Sequence, residues 1–306
     1  MNIVATSPSF SKNKTLQKEI YKSFPDAKLN LEGKRFSKDE LIEYIKDADG
    51  IIVGLEPIDQ KVLKLCPNLK IISKYGVGLN NIDLEECKRN NIDIGWTGGV
   101  NKLSVAEMTL GYMLMLLRNL FVTSNQLKKG TWNKSGGMQL TQKKIGIIGV
   151  GHIGKELIRL LKPFNCKILV NDIINQSEYY KNNNLIESSK EEIFKTCDII
   201  TIHTPYDNKT KDMINKETIK MMRQSSFIIN SARGGIINEE DLKDALINNK
   251  IAGAAVDAYI EEPPKDKEFL SLENLICTPH IGGNSQEAVE LMGLSAIKHI
   301  REFFNK

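Results

Sequence analysis

Three glycines stand at a spacing that can bind phosphate. Gly149, Gly151 and Gly154 form the pattern G-x-G-x-x-G after a short apolar run, and apolar residues at helical spacing follow them. Between a strand and a helix, such glycines permit a tight turn, the approach of a pyrophosphate to the backbone and close packing of the helix on the sheet. The N-terminus of that helix would hold the phosphate charge. A lone G-x-G-x-x-G is a weak signal, because it is often only a tight turn.

An acidic residue strengthens this interpretation. A second strand is predicted at 167–170, and Asp172 follows it, 23 residues after Gly149. A carboxylate at this place can accept hydrogen bonds from an adenosine ribose. Strand, glycines, helix, strand and acid therefore occur in the order expected for dinucleotide binding. His203 ends the strand that comes after the ribose-binding one, and we expect it to line the adenine side.

Three further polar sites follow predicted strands of the same half of the chain. Ligands of open α/β sheets bind beyond the carboxyl ends of the strands. Arg233 leaves its strand between small residues, and its planar guanidinium suits a carboxylate. Asp257 ends another strand, and Glu262 could turn inward five residues later. His280 follows a third strand between Pro279 and two glycines, which makes it the best acid/base candidate. The alternatives are a surface arginine, a solvated acidic turn and a structural histidine.

Strand-like and helix-like segments alternate on both sides of this half. We predict short strands at 3–5, 28–31, 51–53, 71–73 and 92–94, and further strands at 199–202, 227–230, 254–256 and 275–277. Alternation of this kind favours parallel sheets covered by helices. We therefore predict an α/β fold with two Rossmann-like or flavodoxin-like parallel-sheet domains.

Two long helical patterns define the expected domain organisation. One runs from Leu103 to about Leu127 and is predicted as a single helix that passes from one domain into the other. The other, 286–304, is amphipathic and could return to the first domain. We expect a discontinuous domain of residues 1–98 plus 285–306, into which a dinucleotide-binding domain of residues 99–284 is inserted.

Composition excludes several classes of protein. The 306 residues are 41% hydrophobic and 26% charged, with a formal net charge of +4 that is spread thinly. No basic block indicates nucleic acid, and no apolar stretch is long enough to cross a bilayer. The five cysteines are scattered and form no C-x-x-C pair, so neither a disulfide framework nor a metal site is expected. We find no signal-peptide pattern at the start of the sequence and expect a cytoplasmic protein.

Taken together, these motifs resemble the D-isomer-specific 2-hydroxyacid dehydrogenase family over nearly the whole chain. The glycine loop with Asp172 is similar to its cofactor motif, and residues 230–235, 257–263 and 279–283 are similar to its arginine, acidic and histidine motifs. Residues 75–78 with 81–83 resemble its substrate loop, and residues 104–107 resemble the start of its interdomain helix.

The resemblance implies NAD as cofactor, a small 2-hydroxy or 2-keto acid as substrate and a homodimer. It implies that Arg233 binds the substrate carboxylate and carbonyl, that His280 donates or accepts the proton, and that Glu262 is its partner. The expected cofactor-binding residues are Gly149, Gly151, His152, Ile153, Gly154, Asp172, His203, Thr204, Pro205, Ala232, Arg233, Asp257, His280 and Gly282. Asp257 is expected to neighbour the nicotinamide. The expected substrate-binding residues are Tyr75, Gly76, Val77, Gly78, Arg233 and His280.

The substrate stays open at this point. Members of the family that act on 3-phosphoglycerate often carry an arginine shortly after the strand that matches 51–53, whereas this chain has Glu56 there, which would repel a phosphate. 3-Phosphoglycerate, glyoxylate or hydroxypyruvate and related acids are all candidates. An NAD-sensing corepressor built on the same fold is the alternative from another functional class, because a fold alone does not fix function.

Overall fold

A computed structural model describes residues 1–305 of the chain, which form two compact units. Unit 1 comprises Met1–Asn101 and the residues from Asn284 onward, and unit 2 comprises Lys102–Gly283. The chain thus forms most of unit 1, then all of unit 2, and then returns to unit 1. The sequence-based boundaries, after residues 98 and 284, lie within three residues of these positions.

The first part of unit 1 alternates strands with helices. Its strands are β1 (Ile3–Ala5), β2 (Lys28–Leu29), β3 (Gly50–Val53), β4 (Ile71–Lys74) and β5 (Asp93–Gly95). Its helices are α1 (Pro8–Lys12), α2 (Lys14–Ser23), α3 (Lys38–Ile45), α4 (Gln60–Leu65) and α5 (Leu84–Arg89). Polar side chains begin most of these helices: Asn13, Ser37, Asp59 and Asp83 each accept a hydrogen bond from a backbone amide of the first turn.

The five strands of unit 1 form one parallel sheet in the order β2-β1-β3-β4-β5. Its central strands are buried throughout and consist mostly of isoleucine, valine and alanine, as expected for a parallel sheet covered on both faces. The carboxyl ends of β3 and β4 lie side by side, so the loops after them share one edge of the sheet.

Unit 2 contains the longer sheet. Its strands are β6 (Lys144–Ile148), β7 (Lys167–Asn171), β8 (Ile186–Glu187), β9 (Ile199–Ile202), β10 (Phe227–Asn230), β11 (Gly253–Val256) and β12 (Leu275–Cys277). Its helices are α6 (Lys102–Leu117), α7 (Leu120–Lys128), α8 (His152–Leu161), α9 (Ser177–Asn182), α10 (Lys190–Thr196), α11 (Lys216–Lys220), α12 (Glu239–Ile247) and α13 (Lys267–Leu270). A short 3-10 helix, Lys162–Phe164, follows α8.

All neighbouring strands of this sheet are parallel, in the order β12-β11-β10-β9-β6-β7-β8. The order reverses between β6 and β9, which is the place where doubly wound sheets bind nucleotides. Two buried apolar clusters, one on each face, fill the space between the sheet and its helices. The predicted fold class, two parallel-sheet α/β domains, is confirmed.

The prediction of one continuous helix from Leu103 to Leu127 is wrong. The chain forms α6 and α7, whose axes differ by 65°, and both lie within unit 2. The break falls at Asn119, whose backbone is left-handed with φ +54° and whose amide bonds to Leu116 O as the last turn of α6 ends. Asparagine tolerates this conformation better than most residues, and a helix cannot continue through it.

Helix α14 (Gln286–Phe304) completes unit 1, where it packs against α2 and β4. Within unit 1, Ser73 Oγ donates to Ala296 O at 2.9 Å, which ties the helix to β4. Among residues 1–305, no single helix is both long and apolar enough to cross a membrane. Helices α6 and α7 satisfy that test only when they are counted together across their bend.

Candidate active site

The predicted site residues of unit 2 follow six strands that are consecutive in the sheet. Asp172 comes after β7, Gly149 after β6, His203 after β9 and Arg233 after β10. Asp257 follows β11, and the loop that carries His280 follows β12. Parallel strands end at the same edge, so the sheet brings these side chains into one row although they span more than a hundred residues of sequence.

The glycine loop has the backbone geometry that its sequence predicts. Gly149 has φ +98°, and a Cβ atom added to it would lie 2.5 Å from His203 O, so only glycine fits where β6 and β9 converge. Gly151 is exposed and forms the N-cap of the ten-residue helix α8 without a side-chain cap. No side chain at the N-cap therefore accepts a hydrogen bond from the first backbone amides of α8. Uncapped amides at a helix N-terminus suit an anion.

Asp172 lies beside this loop. Its Oδ2 atom accepts a hydrogen bond from Val150 N at 2.6 Å, and Oδ1 accepts one from Ile174 N at 2.9 Å. A carboxylate has about four acceptor positions, so two further hydrogen bonds can be accepted, for example from ribose hydroxyls. The exposed Ile173 and Ile174 follow it and place no cation beside the carboxylate.

Buried polar atoms without partners lie between the glycine loop and β10. His203 Nδ1 and Thr204 Oγ1 are buried and make no hydrogen bond within residues 1–305. His203 Nε2 lies 3.0 Å from Thr201 Oγ1, and burial lowers the pKa of His203 to about 4. Unpaired buried polar groups are unfavourable, and a bound polar ligand would satisfy them. Together with the uncapped helix and the free acceptor positions of Asp172, they fit a dinucleotide.

The other residues expected to bind cofactor occupy the same edge. His152 and Pro205 are exposed, Ile153 is partly exposed and Ala232 is buried. Gly282 contributes its amide to a hydrogen bond with Asp257 and its carbonyl to one with Ser104 Oγ.

Arg233 is held by the loop after β10. The side chain of Asn230 spans this loop, since Nδ2 donates to Arg233 O at 2.8 Å and Oδ1 accepts from Ala232 N at 3.1 Å. The guanidinium donates to Ala232 O through Nη1 at 2.7 Å and makes no ion pair within 4.0 Å in the described part of the chain. Burial lowers the pKa of Arg233, and the charge of Glu262 opposes this effect. An arginine remains charged under these conditions, so its remaining N–H groups can bind a carboxylate.

Glu262 and His280 form the pair that the sequence predicts. His280 Nδ1 lies 2.8 Å from Glu262 Oε1 and 2.9 Å from Oε2. A carboxylate only accepts, so Nδ1 carries hydrogen and Nε2 is the ring nitrogen that can change its protonation during a reaction. Both side chains are more than 40% exposed, which leaves the pair accessible.

Two contacts fix the loop that carries Glu262. Glu262 Oε1 also accepts from Tyr259 N at 3.1 Å, and Glu239 Oε1 at the start of α12 accepts from Ile260 N at 2.7 Å. Burial raises the pKa of Glu239, and the hydrogen bond from Ile260 opposes this effect. A Cβ atom added to Gly234 would lie 1.9 Å from Tyr259 O, so the acidic loop rests directly on the loop of Arg233.

Asp257 is almost completely buried, with 1% of its surface exposed. It accepts hydrogen bonds from Thr278 Oγ1 at 2.5 Å, Ile281 N at 2.9 Å and Gly282 N at 2.8 Å. These donors flank His280 on both sides. Its expected position next to a nicotinamide stays a prediction.

The predicted substrate loop, Tyr75 to Gly78, belongs to unit 1 and follows β4. The ring of Tyr75 is buried against Phe10, and its hydroxyl lies 3.0 Å from Ser9 Oγ. Gly76 has φ +138°, and Val77 O accepts from Trp96 Nε1 at 2.9 Å. The side chain of Tyr75 is therefore part of the core of unit 1, and the assignment of this loop to the substrate stays a prediction.

Sequence reasoning assigned no role to three residues that support the site: Glu239, Thr278 and Tyr112. Glu239 looks like an ordinary acidic residue in the first turn of a helix, and Thr278 lies next to a motif that was recognised. Tyr112 lies on α6, and its hydroxyl contacts Thr278 Oγ1 across 166 positions of sequence. No local pattern predicts such a pairing.

The fold and the site define a dinucleotide-binding α/β protein that carries an arginine and a glutamate–histidine pair at the edge of its sheet. Residues 110–282 match the sequence profile of the family described as D-isomer specific 2-hydroxyacid dehydrogenase, NAD binding domain. The chain belongs to this family. The match confirms both the family resemblance and the expectation of an NAD-binding domain.

Named relatives agree with this assignment. The chain is 36% identical to the D-3-phosphoglycerate dehydrogenase of Methanocaldococcus jannaschii over 87% of its own length and 52% of that protein. It is 33% identical to the hydroxypyruvate reductase of Thermotoga maritima, over 89% of its own length and 90% of that protein. The chain therefore spans about half the length of the phosphoglycerate dehydrogenase that it matches.

A solved structure extends the similarity to the whole fold. The D-lactate dehydrogenase of Aquifex aeolicus, determined in complex with NAD and lactic acid, superposes with a TM-score of 0.85 at 25% identity. The alignment covers 100% of this chain and 96% of that one.

Proposed function

We propose that this protein is an NAD-dependent dehydrogenase that interconverts a D-2-hydroxy acid and its 2-keto acid. The observation that carries the proposal is the His280–Glu262 pair, in which Nδ1 and Oε1 lie 2.8 Å apart. The loop that carries Glu262 packs on the loop that carries Arg233. The names of the relatives support the same reaction class, since they are dehydrogenases and reductases of such acids.

Each of the three side chains has a distinct role in this proposal. The fork of Arg233 binds the carboxylate of the substrate and stabilises the negative charge that develops on the carbonyl oxygen. His280 donates a proton from Nε2 to that oxygen during reduction and accepts it during oxidation. Glu262 holds Nδ1 and stabilises the imidazolium through a charge-assisted hydrogen bond. The bound nicotinamide supplies or accepts the hydride.

We propose NAD rather than NADP because Asp172 would repel a 2′-phosphate. Ile173 and Ile174, which follow it, offer no cation to compensate. We propose an unphosphorylated acid as the better substrate because Glu56, at the sheet edge of unit 1 that holds the predicted substrate loop, carries a negative charge. Glu56 Oε2 accepts from Gly54 N at 2.7 Å, which fixes the carboxylate at that edge. A homodimer remains our expectation from the family, and a cytoplasmic location remains our expectation from the sequence.

The test is turnover of a panel of 2-keto acids with NADH. The panel contains glyoxylate, pyruvate, hydroxypyruvate and phosphohydroxypyruvate, and the loss of NADH absorbance is followed. Glu262→Gln keeps the shape of the side chain but removes its charge, and should reduce kcat by about 10²-fold or more. Glu261→Gln is the matched control, because Glu261 is exposed and pairs with Lys265 instead.

The outcomes separate the proposal from its rival. Turnover that depends on Glu262 and not on Glu261 supports the dehydrogenase. Tight binding of NADH, measured by its fluorescence, without turnover of any acid would instead indicate an NAD-sensing binding protein.

A further inference from the structure

The backbone of His280 has an unusual conformation. It has φ +52°, in the left-handed region that residues other than glycine rarely adopt. Its amide donates to Thr278 O at 3.0 Å, so the chain makes a tight turn around Pro279. Such a conformation persists only where the surrounding structure determines it. The position of the imidazole therefore depends on the groups that hold this turn.

Asp257 holds the turn from both sides. It accepts from Thr278 Oγ1 before the histidine, and from the amides of Ile281 and Gly282 after it. All three donors converge on one buried carboxylate at the end of β11. The turn is thus anchored to a buried group at the carboxyl end of β11 rather than to solvent.

The hydrogen-bond chain continues from Thr278 to α6. The carboxylate of Asp257 only accepts, so the hydrogen of the Thr278 hydroxyl points to it, and the Thr278 oxygen is left to accept from the Tyr112 hydroxyl. Burial raises the pKa of Tyr112 far above its ordinary value, so the phenol keeps its proton at every pH of practical use. In such a chain each hydrogen bond polarises the next and strengthens it.

We propose that Tyr112 and Thr278 are positioning residues of the active site: through Asp257 they fix the turn that places the His280 ring for proton transfer. The inference rests on the proposed function, in which His280 is the proton donor. Neither residue reaches the reacting atoms. Their effect is on the geometry of a group that does.

The first experiment removes a single hydroxyl. Tyr112→Phe keeps the ring packed in the core and deletes the hydroxyl, which contacts Thr278 Oγ1 and, more weakly at 3.4 Å, Met108 Sδ. We expect kcat for reduction of the best 2-keto acid to fall about fivefold to tenfold, because small displacements of a catalytic group reduce the rate steeply. The KM of the acid and the dissociation constant of NADH should stay within about twofold, since substrate binding relies on other groups.

The matched control is Tyr180→Phe. Tyr180 lies in the same buried cluster, and its hydroxyl has no hydrogen-bond partner within residues 1–305. This substitution therefore removes a buried phenol oxygen without breaking a chain of hydrogen bonds, and kcat should not change.

A second pair of variants tests Thr278 directly. Thr278→Val keeps the shape without the hydroxyl and should reduce kcat by about 10²-fold, whereas Thr278→Ser keeps the hydroxyl and should retain activity within about threefold. Tyr112→Phe should cause no further loss in the Thr278→Val background, because the two residues act through one chain. Two residues that only stabilise the core would show independent effects.

The inference is overturned if Tyr112→Phe has the kcat of the wild type, if Tyr180→Phe loses as much, or if the losses of Tyr112→Phe and Thr278→Val are additive. A wild-type protein that reduces no 2-keto acid overturns the proposed function, and the inference with it. An active wild type with an unaffected Tyr112→Phe variant overturns the inference alone.

Discussion

The pH dependence of stability should carry a contribution from His203 that a single substitution can isolate. Burial lowers the pKa of this histidine from 6.5 to about 4. Between these values the unfolded chain binds a proton at this position and the native protein does not. The free energy of unfolding is therefore not reduced by this histidine above about pH 6.5, and it decreases as the pH falls through this window.

The magnitude follows from the two pKa values. Relative to pH 8, the free energy of unfolding should be lower by about 2 kcal/mol at pH 5 because of His203 alone. The full loss, reached below pH 4, is about 3 kcal/mol. His203 as a residue is partly exposed, so we take these values as upper limits.

The assay is urea unfolding, followed by circular dichroism, of the wild type and His203→Gln between about pH 8 and pH 5. The two units can unfold separately, so the transition that shifts on addition of NADH is taken as that of unit 2. As the pH falls, the free energy of unfolding should decrease more in the wild type than in His203→Gln. His152→Gln is the control, because His152 is exposed at the start of α8. Parallel pH profiles for the wild type and His203→Gln would refute the reasoning.

Three further predictions concern the site. Asp172 should make kcat/KM with NADH at least about tenfold higher than with NADPH, and equal use of both cofactors would contradict this. Arg233→Ala should abolish most activity without unfolding the protein, and Arg233→Lys should restore only part of it, because lysine lacks the planar fork; near-normal kcat/KM in a folded Arg233→Ala protein would show that the substrate binds elsewhere. Glu239→Ala should reduce kcat about fivefold by loosening the acidic loop, whereas Glu240→Ala, at the exposed neighbouring position, should not; an equal effect of both would point to the charge of the helix start instead.

Much of the site could be predicted from the sequence because its signals are local. Gly149 must adopt a positive φ and meet another backbone, so its identity is fixed by a short stretch of chain. Arg233, Glu262 and His280 each follow a strand, and a short run of apolar residues predicts each of these strands. Parallel strands then bring their ends together whatever the exact boundaries of the elements are.

The parts that were not predicted depend on tertiary contacts or on a single backbone angle. The helical pattern from Leu103 to Leu127 is continuous in sequence, and only the left-handed Asn119 divides it. No local pattern shows that the ring of Tyr75, in the predicted substrate loop, packs against Phe10. The two-residue strand β8 is too short to produce a pattern. The contact of Tyr112 with Thr278 joins distant segments that have no common motif.

The order of the strands also sets how far apart the strands at the two ends of the site lie. From β12, which carries the His280 turn, to β7, which carries Asp172, the sheet contains five strand-to-strand intervals. At about 4.8 Å each, these intervals separate β12 from β7 by about 24 Å within the sheet. A fragment that consists only of an adenosine group can therefore occupy the Asp172 end and leave His280 untouched, so adenosine fragments should compete with NADH without competing with the keto acid.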